Sequence, residues 1–134
     1  MQRWEPSASP VIYRRFQANE NLVAGLEKFA LSEGIREAAI TSCIGSLRQL
    51  RLRNLCGFDE DDSPEFERTV IDENLELVSA EGYIQPLPEG GIRVHIHLAA
   101  ARPSGDMVGG HCEEATTFTG AFMYLHVLEQ EAKA

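Results

Sequence analysis

No run of apolar residues in this chain approaches the roughly 20 needed to cross a bilayer as a helix. The first six residues, Met1-Gln2-Arg3-Trp4-Glu5-Pro6, lack the apolar core and small-residue cleavage site of a secretory signal. Cysteine is scarce: Cys43, Cys56 and Cys112 form an odd set with no CxxC spacing, which points to free thiols in a reducing compartment. These absences predict a cytoplasmic protein with no membrane partner. Positive charge is also in short supply. Twelve Lys and Arg stand against 21 Asp and Glu, for a formal net charge of -9. That balance repels polyphosphate within a Debye length of roughly 8–10 Å and argues against a surface built for the DNA backbone, which wants clustered bases. The nearest approach to a basic patch is Arg48, Arg51 and Arg53. Arg51 and Arg53 share a face if the segment is a strand, and they are expected to be solvated or paired with carboxylates. The chain also has no GxSxG elbow, no Walker loop and no dinucleotide fingerprint.

The 134 residues that are present suit one compact domain able to bury its own core. Residues 1–9 read as a flexible lead-in, 10–129 as the domain and 130–134 as a tail that frays from about Glu129. Val11 to Phe16 reads as a strand. Asn19 to Glu33 reads as a helix, capped by Asn19 or Asn21, striped by Leu22, Leu26, Phe29 and Ala30, and ended by Gly34. Strands follow at Ala38–Ile44, Leu47–Leu55, Phe66–Ile71, Leu75–Ala80, Ile92–Ala100 and Phe118–Leu128, with Met107–Cys112 pairing back as a hairpin. The long apolar run from Phe118 is expected to be central. Asp59 to Glu65 is an acidic loop without the spacing of a calcium loop. One early helix followed by many strands predicts an α/β (α+β) domain with a mixed but mostly antiparallel sheet.

The chemistry concentrates in three histidines. His95 and His97 are two apart on a strand, so their rings project from one face. The next turn and returning strand can bring His111 beside them, and Gly109-Gly110 lets the backbone approach closely. Three neutral imidazoles suit Zn²⁺, and also Fe, Ni or Cu. With three protein ligands a fourth position stays open, which permits metal-activated water chemistry and hence a metal-dependent hydrolase. A general base is not evident, since Glu113 and Glu114 read equally well as surface residues. Cys112 alternates with His111 and is expected to be buried. His126 is expected in the core or an interface. Two other HxH families fit poorly: a cupin wants a glutamate soon after the pair, where Leu98-Ala99-Ala100-Ala101 stands, and a histidine-triad hydrolase wants a third alternating histidine where Ala99 stands.

Three stretches, Ser42-Cys43-Ile44-Gly45-Ser46-Leu47, Leu75 to Gly82, and His95-Ile96-His97 through Gly109-Gly110-His111, resemble the plant-and-prokaryote-conserved (PPC) domain in its stand-alone prokaryotic form. The resemblance spans about Val11 to Glu129. It implies a homotrimer, and zinc held by His95, His97 and His111. It also carries the family's DNA-binding label, although the AT-hook that supplies minor-groove contact in plant members has no counterpart here. Two positions depart from the pattern: Ala115 stands where members often have glycine, and Phe122 where they often have glutamate.

Overall fold

The computed structural model describes residues 10–131. The lead-in expected over residues 1–9 and the last three residues of the expected tail lie outside that range. Six strands and one helix follow in the order β1 (Val11–Phe16), α1 (Leu22–Glu33), β2 (Ile35–Phe58), β3 (Pro64–Ile71), β4 (Leu75–Pro86), β5 (Ile92–Ala101) and β6 (Met107–Gln130). The expected fold class holds, and every strand pairing is antiparallel.

Where the sequence reads four strands, the structure has two long ones. Ala38–Ile44 and Leu47–Leu55 are parts of β2, and Met107–Cys112 and Phe118–Leu128 are parts of β6. Gly45 does not end a strand. A Cβ there would lie 2.3 Å from the Gly120 carbonyl oxygen, so glycine allows β2 and β6 to cross in close contact. Each strand has 24 residues and would extend roughly 80 Å if straight. Both instead bend at a series of bulges in their mutual register, between Ile40 and Ser42 and between Ser46 and Gln49 among others. The sheet runs β1-β6-β5-β4-β2-β3, and β6 also pairs with β2, so β6, β5, β4 and β2 form a closed ring.

Alternation fills the interior. Leu50 and Leu52 on β2, Ile96 and Leu98 on β5, and Met123 and Leu125 on β6 are all buried. The apolar run of β6 is not buried on both faces, because Phe122, Tyr124 and Leu128 remain exposed. The helix lays Leu22, Leu26 and Ala30 on the sheet. Its cap is Asn21, whose side chain accepts from the Ala24 N–H at 2.9 Å. Asn19 instead adopts φ 63° and accepts from Arg48. Gly34 closes the helix at φ 69° and accepts from the Glu131 N–H at 2.8 Å. The end of β6 is thereby tied down past the point where a frayed tail is expected.

Candidate metal centre

The site grows out of register. On β5, Arg93, His95, His97 and Ala99 face away from the buried Ile92, Ile96 and Leu98. Across β4, Tyr83 pairs with His95 and Glu81 with His97; across β6, His97 pairs with His111. The turn that returns the chain is closed by Arg102 N–H to Asp106 O at 2.8 Å, with Gly105 at φ 93°.

The three rings converge. His95 Nε2 lies 3.1 Å from His97 Nε2 and 3.1 Å from His111 Nδ1, and all three ligand nitrogens fall within 4.8 Å of one another. A tetrahedral ion at about 2.0–2.1 Å from each would set them about 3.3 Å apart. His95 Nε2 faces two other ring nitrogens, and one shared cation satisfies all three lone pairs at once. Tyr83 Oη is 3.0 Å from His95 Nδ1. With the Nε2 lone pair directed at the centre, Nδ1–H donates to the Tyr83 oxygen, which fixes both tautomer and ring angle.

Asn54 supports His111 through the backbone rather than the ring. Its side-chain N–H donates to Gly109 O at 3.1 Å, and its side-chain oxygen accepts from His111 N–H at 3.0 Å. The amide thus bridges β2 to the backbone on either side of Gly110. Gly110 has φ 135°, and a Cβ there would lie 2.0 Å from Asn54 Oδ1. The double glycine is therefore explained in part by this amide. Neither Tyr83 nor Asn54 stands out in the sequence. The only signal for Asn54 is an amide residue in a strand run, where β-propensity is poor. Asn54→Ala is expected to weaken metal binding by about 10- to 100-fold with the fold retained, as read by competition with a chelator of known affinity.

Burial, then the charges of His97 and Arg93, hold His95 below the ordinary 6.5. Burial, then His95, His97 and Arg53, do the same to His111, and Glu113 acts weakly in the other direction. Neutral rings are the ligating form, so both shifts favour metal uptake. The sign for stability follows from linkage. The unfolded chain takes up protons near 6.5 that the folded rings refuse, so stability is full above that pH and declines as pH falls through the lowered folded values. Chelator-treated protein should show a falling Tm from pH 7 toward 5.5, with a flatter profile in a His95→Gln, His111→Gln double variant.

Other expectations resolve individually. Cys112 is 3% exposed, and burial pushes its thiol and that of Cys43 up to about 12, which suits neither for ligation. His126 sits half-buried on β6, paired with Val11 and Ala39, away from the cluster. Glu113 is engaged with Arg68 at 3.1 Å, and Glu114 accepts from Asn21 at 2.8 Å, so neither is free as a base. Phe122 borders a different cavity, with Ile44 and Phe118. Arg51 pairs with Glu114 at 3.8 Å as expected, whereas Arg53 has no carboxylate partner among the described residues. Its guanidinium lies 3.9 Å over the Phe66 ring, on the wall of the histidine cavity. Arg48, Arg51 and Arg53 thus go to separate local partners rather than forming one patch.

A family model described as the Plants and Prokaryotes Conserved (PCC) domain matches residues 5–129. A metal-containing protein from Archaeoglobus fulgidus is 26% identical, with a TM-score of 0.78 over 98% of this chain and 89% of that one. A plant- and prokaryote-conserved protein from Pyrococcus horikoshii is 24% identical, with a TM-score of 0.79 over 98% and 87%. A stretch of 107 residues, 79% of this chain, is 31% identical to the bifunctional protein GlmU of a Synechococcus strain, of which it spans only 15%.

Proposed function

We propose that this chain, which belongs to the Plants and Prokaryotes Conserved (PCC) domain family, is a metal-binding protein whose centre is His95, His97 and His111. The observation that carries the reading is the convergence of three ring nitrogens on one point, with Tyr83 bonded to the His95 ring and Asn54 to the His111 backbone N–H. The metal content of the Archaeoglobus fulgidus relative supports it. Zn²⁺ is the proposed occupant, since an all-imidazole donor set and an open fourth position suit it well. A bound ion would supply Lewis acidity or an activated water. The chain's own residues would orient the rings and shape the cavity around them.

The homotrimer belongs to the same proposal. Its support is an apolar face on β1 and β6, where Tyr13, Phe122 and Tyr124 cluster at 41–48% exposure with ring centroids 5.3–6.4 Å apart. Half-exposed rings grouped on one face suit burial against another copy of the chain. The DNA-binding reading gains little, because Arg48 and Arg51 are held by Asn19 and Glu114 rather than presented together.

Elemental analysis of protein purified without a histidine tag tests the centre. About one ion per chain is expected, removable by chelator and restored by Zn²⁺. Protein that holds no metal, even after incubation with zinc, would overturn the reading.

A further inference from the structure

We infer that the cavity over the three histidines receives a small organic carboxylate, gripped by Arg53 and Arg93 beside the metal; this rests on the metal-binding reading. The cavity encloses about 870 Å³, a size that suits a small organic ligand. Its lining includes both arginines and, among the described residues, no carboxylate.

Arg14, Arg36, Arg51, Arg68 and Arg102 each lie within 4 Å of a glutamate, while Arg15 stacks on Phe122 and Arg48 donates to Asn19, both away from the cavity. Among the described residues no carboxylate comes within that distance of Arg53 or Arg93, in a chain with nine more acids than bases. Arg53 is pinned by its stack on Phe66, with its Nε buried, so that its terminal nitrogens are the part left to meet a ligand. The guanidinium fork matches a carboxylate in two parallel hydrogen bonds.

Charge balance points the same way. Three neutral imidazoles, a divalent ion and two guanidinium groups sum to a formal +4; Glu113, which acts on His111, is paired with Arg68, and Glu81, opposite His97, lies outside the lining, so no carboxylate of the lining offsets that charge. An ion's own charge belongs in that sum, so the site calls for an anion from solution. Leu55, Phe66 and Val94 complete the wall. They favour a ligand with an apolar body over a bare inorganic oxyanion.

The test is calorimetric titration of protein loaded with Zn²⁺, its content checked by elemental analysis. The probes are isovalerate, the neutral isovaleramide of the same shape, and inorganic phosphate. Saturable binding of isovalerate is expected, at least tenfold tighter than the amide and tighter than phosphate. Arg53→Gln and Arg93→Gln should each weaken it tenfold or more while zinc stays at the wild-type level. Equal binding of acid and amide, or titrations unchanged in both variants, would overturn the carboxylate and leave the metal centre standing. Tighter binding of phosphate would overturn the organic part of the inference. A wild-type chain that takes up no zinc would overturn both readings together.

Discussion

Gly82→Ala should be the most damaging single methyl group that can be added to this sheet. Gly82 pairs with Ile96 across β4 and β5, and a Cβ at position 82 would stand 1.9 Å from the His95 carbonyl oxygen and 3.1 Å from the Ile96 Cα. Both are backbone atoms, so no rotamer change relieves the contact. The strands would have to part by roughly 1 Å to restore an ordinary approach. Overpacking a rigid interior costs about 1–3 kcal/mol, and a clash with backbone in the middle of a ladder belongs at or above the top of that range. Denaturant unfolding should show a loss of about 3 kcal/mol or more, or no folded protein at all. Gly90→Ala, at a turn where nothing lies within 4 Å of the added carbon, should cost far less despite its φ of 101°. A Gly82→Ala protein within about 1 kcal/mol of wild type would show that β4 and β5 do not approach as described. Any folded fraction should also bind metal poorly, because the same movement carries Tyr83 away from His95.

The second large effect is on metal content. His97→Ala removes one of three ligands and leaves the other two with their supports intact. Losing an outer partner of a ligand costs about 10- to 100-fold in affinity, and losing the ligand itself should exceed that. The variant should come through a chelator wash with almost no metal, while wild type retains most of its ion. His97 is exposed, so the metal-free variant and metal-free wild type should melt together. His126→Ala serves as the control, since His126 lies outside the cluster, and it should keep wild-type metal. Stoichiometric metal in His97→Ala after the same wash would remove this residue from the centre.

The sequence made the ligands legible and hid what supports them. His95 and His97 share a face by strand period alone, and His111 is brought back by a short turn, so local rules suffice for all three. Tyr83 and Asn54 reach the site through the registers of β4 with β5 and β2 with β6, and no local pattern encodes those registers. The acidic and polar stretch Glu113 to Thr117 reads as a gap, although β6 passes through it. Gly45-Ser46 likewise reads as a break, because a glycine that lets two backbones touch looks the same in sequence as one that turns the chain. The helix was legible because its stripe, its cap and Gly34 all agree. The ion-pair pattern that leaves Arg53 and Arg93 unmatched depends on where every glutamate lands, and composition alone makes the opposite expectation reasonable.

The closed ring of strands also implies an order of events in folding. The three ligands lie within 17 consecutive residues, on the two sides of one hairpin turn. Their partner Asn54 must return across 57 residues to meet His111, and β2 meets the far end of β6 when Ile35 pairs with Gln130. Short loops close at lower entropic cost and sooner than long ones. The imidazoles are therefore expected to come together early, on a hairpin that could meet an ion before the ring has closed. β2 then fixes the His111 backbone through Asn54, so if the centre takes an ion, the speed of its capture and the tightness of its retention should be governed by different parts of the chain.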